Sequence, residues 1–112
     1  VNQLLVYDIT NAGELDEDNI LIEPQLVKTI DMNQPWGLGI RDSLLFVCVE
    51  EGVVEFDIST PEDPQEIGNY SAQCNDIIAG TEPMILTGDD GIRLMTKQGA
   101  GLTELAIIRE GD

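Results

Sequence analysis

Apolar positions along this chain fall into short runs broken by glycine, aspartate and proline, and within a run they are nearly continuous rather than alternating. Leu44–Val49 is the longest unbroken run, far short of the ~20 residues of a membrane helix. No window carries a sustained 3.6-residue apolar period with caps, so no helix is predicted. The pattern predicts four short strands in the middle of the chain: Trp36–Arg41, Leu44–Val49, Val53–Ser59 and Gln65–Ser71. Glu51-Gly52 and Asp90-Gly91 mark tight turns, since glycine takes positive φ without steric cost. In "DISTPEDP", Asp57 and Ser59 can bond nearby backbone groups while Pro61 and Pro64 fix φ where the chain reverses. Strands apolar on both faces belong to sheets covered on both sides.

The same pattern recurs. Gly52-Val-Val-Glu-Phe-Asp57 aligns with Gly91-Ile-Arg-Leu-Met-Thr96 at a shift of 39 residues, Gly52 to Gly91. Behind the two glycines, Glu50-Glu51 meets Asp89-Asp90, "LLFVCV" meets "PMILTG", and "PWGLGI" meets "CNDIIA". Upstream, Leu4–Thr10 ("LLVYDIT") ends as Val53–Ser59 does, with Asp8 49 residues before Asp57. The longer spacing falls in the first connection, where "NAGELDEDNILIEP" replaces the compact "TPEDP". A period near 40 with one loop insertion predicts stacked supersecondary units.

Leu5-Val6-Tyr7-Asp8-Ile9 and Val53-Val54-Glu55-Phe56-Asp57-Ile58, followed by Pro61 and Pro64, resemble the LVIVD repeat. That family builds β-propellers, mostly in secreted and lipid-anchored bacterial proteins. The resemblance implies an all-β propeller fragment: two four-stranded antiparallel blades plus the outer half of a third. Residues 1–31 would supply the outer strands C and D of an incomplete blade with an acidic insertion, 35–71 a complete blade, and 74–112 a complete, degenerate terminal blade. The last unit departs from the pattern, with Thr96 in place of the aspartate and Arg93 and Lys97 interrupting its third strand. The resemblance also implies a place outside the cell or on its surface, periplasm or outer membrane included. Val1 is not Met, and the first C-strand has no strand A or B before it. The chain is therefore expected to be the C-terminal piece of a larger ring. Its partners would be the remaining blades, upstream or on a companion chain, and by itself it should associate through its open strand edge.

Charge narrows the function. Acidic residues outnumber basic ones 22 to 5, for a net charge of −17, which excludes phosphate-backbone binding and attraction to anionic membranes. The chain has no histidine, so the commonest general base and every Ser-His-Asp or Cys-His arrangement are missing. Ser43, Ser59 and Ser71 sit in no nucleophile elbow, and "GAG" at 99–101 reads as a hairpin turn rather than a phosphate loop. "ELDEDN" at Glu14–Asn19 invites calcium, but no glycine follows Asp16 and Asp18 at the EF-hand position, and a solvated acidic loop is expected, with no cofactor. Cys48 and Cys74 lack metal-ligand spacing and read as small buried residues that stay reduced, a disulfide being the alternative that secretion favours. What remains is binding. One rim of the predicted layout collects Asp31, Glu50, Glu51, Asp76, Asp89 and Asp90, with Trp36 and Asn75 beginning the inner strands. Trp36 is expected to pack in the core between units, the alternative being an exposed platform for a sugar or cation. The expected function is a non-enzymatic scaffold for a protein or glycan ligand. The alternative is a propeller enzyme whose catalytic residues lie outside this chain.

Overall fold

The computed structural model describes residues 2–98 and 101–110. Among these the regular structure is entirely β, in three antiparallel sheets. The first pairs β1 (Gln3–Asp8) with β2 (Gln25–Asp31). The second runs β3 (Gly37–Arg41), β4 (Leu44–Val49), β5 (Gly52–Asp57) and β6 (Gln65–Tyr70) as a meander. The third repeats it with β7 (Asp76–Ile78), β8 (Met84–Gly88), β9 (Gly91–Gln98) and β10 (Gly101–Ile108). These strands lie where the apolar runs predict them, to within two residues in the second sheet. The predicted turn at 99–101 falls largely outside the described residues. Gly52 and Gly91 hold φ of 148° and 134°, and a Cβ on Gly52 would lie 2.1 Å from the Tyr70 carbonyl oxygen. The β4–β5 turn thus tolerates glycine alone.

Register makes the repeat physical. In each sheet the last two strands pair with one bulge at the same place: between Val6 and Tyr7 of β1, between Glu55 and Phe56 of β5, and opposite Leu94–Met95 of β9. The extra residue sits on the outer strand each time, at Val27, Ile67 and Leu105. A bulge re-aims one strand against its partner, so three in equivalent positions give three hairpins one shape. The aspartates that close β1 and β5 do the same job. Thr10 and Ser59 backbone N–H groups each donate to the preceding aspartate, Asp8 or Asp57, at 2.8 Å. Side-chain and then backbone hydrogen bonds from these residues hold both carboxyls below their ordinary value. Where Thr96 replaces the aspartate, no such turn forms and β9 runs on to Gln98.

Opposite residues of an antiparallel pair share a face. Phe46, Cys48, Val53 and Glu55 thereby face the third sheet, packing with Cys74, Ile77, Ala79, Met84, Leu86 and Met95. Val47, Val49 and Phe56 face the first, against Leu4, Ile30 and Met32. The central hairpin of the second sheet, β4–β5, is buried on both faces, as its unbroken apolar runs require. A radius of gyration of 16.7 Å, against about 13 Å for a compact domain of this length, fits sheets stacked in a row.

Between the second and third sheets the cysteines depart from expectation: Cys48 and Cys74 are joined as a disulfide, their Cα atoms 5.3 Å apart. Cys48 is the next-to-last residue of β4 and Cys74 leads into β7, and close packing of β3 on β7 brings the two within bonding range. Ion pairs also cross the sheets. Lys28 meets Asp63, Arg41 meets Glu82 at 2.8 Å, and Lys97 reaches buried Glu55 at 3.1 Å. Glu55 Oε2 accepts no hydrogen bond of good geometry among the described residues, so its link to Lys97 is charge attraction.

With the cysteines 26 positions apart in sequence, reduction should cost about 3.5 kcal/mol from loop-closure entropy. Thiol titration of the unfolded, unreduced protein is expected to find no free thiol, and two would contradict the bond. Lys97→Met alone should cost about 3–5 kcal/mol by stranding the Glu55 charge, while adding Glu55→Leu recovers most of it. Urea unfolding of the single and double variants checks this, and a double variant as unstable as the single one would count against it.

Candidate functional site

The connections β2–β3, β4–β5, β6–β7 and β8–β9 all emerge at one end of the sheets and form an acidic rim. Gly37 sets its geometry. A Cβ there would meet Asp76 Cα at 2.8 Å and the Asn75 carbonyl oxygen at 2.9 Å, so the start of β3 lies directly on the start of β7. The main chain of Trp36 is thereby brought close to Asn75 and Asp76. Its backbone N–H donates to the Cys48 carbonyl at 2.9 Å, and the residue is 53% exposed. The expected core position for Trp36 is therefore corrected: its main chain is held against the core residue Cys48, but its side chain has no apolar cover among the described residues and stays half exposed.

The acidic side chains are not simply solvated, as a reading of charge alone suggests. Asn33 donates through Nδ2 to Glu51 Oε1 at 2.6 Å, and the Glu50 backbone N–H donates to the Asn33 carbonyl at 3.0 Å, tying the β2–β3 loop to the β4–β5 turn. In the next unit Asn75 Nδ2 donates to Asp89 Oδ1 at 2.8 Å, and Gln73 joins both residues through its side-chain amide. Asp76 accepts the Ile77 backbone N–H at 2.9 Å. Asp90 takes a two-pronged bond from Arg93, 2.9 Å on each oxygen, and its carbonyl accepts from Arg109 at 3.3 Å. Those bonds from Arg93 hold the Asp90 carboxyl below its ordinary value, and the Arg93 guanidinium is raised in turn. Asp31 lies at the edge of the rim, in an open depression with Gln3 and Asn33.

Asn33, Gln73 and Arg93 escape sequence reasoning. Arg93 reads as an interruption of its strand, yet the three-residue step across the turn from Asp90 is the signal for the pair it makes. Among the described residues, the exposed side chain of Glu50 is the rim carboxylate left to solvent.

Ser43, Ser59 and Ser71 are exposed, and the Ser59 hydroxyl donates to Asp57, which makes it part of a turn. The Glu14–Asn19 loop is an ordered miniature hairpin bridged at Leu15 and Leu21. Asp16 Oδ1 accepts the Asp18 and Ile20 backbone N–H groups at 2.9 Å each, so one of the loop's carboxylates caps its own turn. Among the described residues no group of three or more cysteine, aspartate or glutamate side chains is arranged to hold a metal ion. What the rim offers chemically is negative charge held by hydrogen bonds and, at the start of β3, an exposed tryptophan. No family model, curated protein or solved structure matches the chain.

A carboxyl lowered by its partner adds stability above the ordinary aspartate value of 3.8, which is lost as pH falls through the lower folded value. Asp90→Asn should therefore lower the melting temperature at pH 7 and lose less than the parent protein on acidification below about pH 4. Glu50→Gln should melt as the parent does, within ~0.5 kcal/mol. Equal effects of the two changes would show that Arg93 does not hold the turn.

Proposed function

We propose that the chain is part of a bacterial β-propeller of the LVIVD-repeat kind, acting without catalysis as a secreted or cell-surface scaffold that binds a protein or glycan through its acidic rim. The observation that carries this reading is a half-exposed Trp36 at the start of β3, on a rim whose carboxylates Glu51, Asp76 and Asp89 are each held by a hydrogen bond. Three hairpins of one shape, stacked face to face with inner strands β3 and β7 in contact, support the propeller architecture. The Cys48–Cys74 disulfide supports an oxidising compartment. An indole face beside carboxylates suits a sugar ring or the cationic groups of a basic peptide, and both are bound without a nucleophile or general base.

Trp36 is the single tryptophan, so intrinsic fluorescence reports on the rim directly. Titration with a lysine- and arginine-rich peptide and with a panel of neutral oligosaccharides is expected to give a saturable emission shift with at least one class. Asp76→Asn and Glu51→Gln should weaken that response, and salt should weaken it further for the peptide. No saturable change with either class, or one indifferent to both substitutions, would remove the rim as the binding surface.

A further inference from the structure

Leu38 and Ile40 of β3 are 56% and 59% exposed. Their counterparts 39 residues on, Ile77 of β7 and Ala79 just after it, are exposed by only 4% and 2%. Glycine accounts for the burial. A Cβ on Gly39 would stand 3.1 Å from both Ala79 Cβ and Ile77 Cγ2, so these side chains close directly onto the β3 backbone. Leu38 and Ile40 instead line an apolar groove of about 250 Å³ with Leu4, Leu5, Tyr7 and Leu45.

The other wall of that groove is incomplete in the same sense. By its bulge and its closing aspartate, β1 is the counterpart of β5. β5 is paired by β4 on one edge and β6 on the other, whereas among the described residues β1 is paired by β2 alone. A bare strand edge and a bare pair of side chains thus border one groove, in the positions that β4 and β3 fill for the neighbouring sheet.

We propose that this groove receives a two-stranded antiparallel β-hairpin of the repeat's own chemistry. Its outer strand pairs along β1 as β4 pairs along β5. Its inner strand carries small residues, glycine or alanine, at the two alternate positions that face Leu38 and Ile40. The argument is continuity: the interface between the second and third sheets, continued one unit back, demands this occupant and no bulkier one. A second copy of this chain fits poorly, since its own bare edge presents Leu5 and Tyr7 rather than glycines, and each copy carries −17. The inference rests on the repeat and is independent of the rim's binding role.

The chain's own hairpin, a synthetic peptide covering residues 35–50 with Cys48→Ser, serves as the probe, since it carries the Gly37 and Gly39 spacing. Added to isotope-labelled protein, it should cause saturable one-to-one amide shifts at Leu4–Tyr7 and at Leu38 and Ile40. The same peptide with Gly37→Val and Gly39→Val should bind at least about tenfold more weakly, the effect of ~1.4 kcal/mol of misfit. The protein variant Leu38→Ser with Ile40→Ser should keep its melting temperature, because both residues are exposed, and lose the peptide. Equal binding of the two peptides, or no saturable shift with either, would overturn the proposal. So would a protein that light scattering finds dimeric with β1 already protected, which would assign the groove to a second copy.

Discussion

The β4–β5 hairpin is apolar on both faces, and the structure is arranged around that constraint. Phe46, Val47, Cys48, Val53 and Phe56 are all essentially inaccessible, and they point alternately to opposite sides of one sheet. Full burial of such side chains is worth roughly 1.5–3 kcal/mol each, whereas an exposed ion pair is worth about 0–1. Burial therefore decides the architecture and charge only refines it. No single layer can satisfy a two-faced sheet, so a sheet must lie on each side. The third sheet meets this need with four strands and the first with two, which is why the bare groove lies beside β1.

Scarce positive charge is spent on the same problem. The chain has 5 basic residues. Lys28, Arg41 and Lys97 each reach from one sheet to the next, while Arg93 and Arg109 both hold Asp90 at the rim. The surplus of carboxylates is left to caps, turns and solvent. The rim's negative field follows from this distribution, and so does its rigidity, since Asn33, Gln73 and Asn75 anchor its carboxylates by neutral hydrogen bonds.

Strand positions and turns were legible in the sequence because they rest on local chemistry: unbroken apolar runs, Gly52 and Gly91 at tight turns, aspartate closing β1 and β5. The expectations that failed concern contacts between units. Trp36 was expected in the core, but whether an indole at a strand start points inward depends on how β3 meets β7. Cys48 and Cys74 lie 26 residues apart, and only stacking of the sheets brings them within bonding range. Lys97 read as an interruption of a degenerate strand, yet it is the partner of Glu55, a carboxylate buried in the neighbouring sheet. The bulges at Val27, Ile67 and Leu105 leave no mark in composition and emerge only from register.

If two-sided burial of β4–β5 organises the molecule, stability must be graded outward from that hairpin. Native-state hydrogen exchange, followed residue by residue across a denaturant series, tests this directly. Amides of Phe46–Cys48 and Val53–Phe56 are predicted to exchange only through global unfolding, with β1 and β2 opening earlier at lower free energy. Protection of β1 and β2 equal to or greater than that of β4 and β5 would contradict the account.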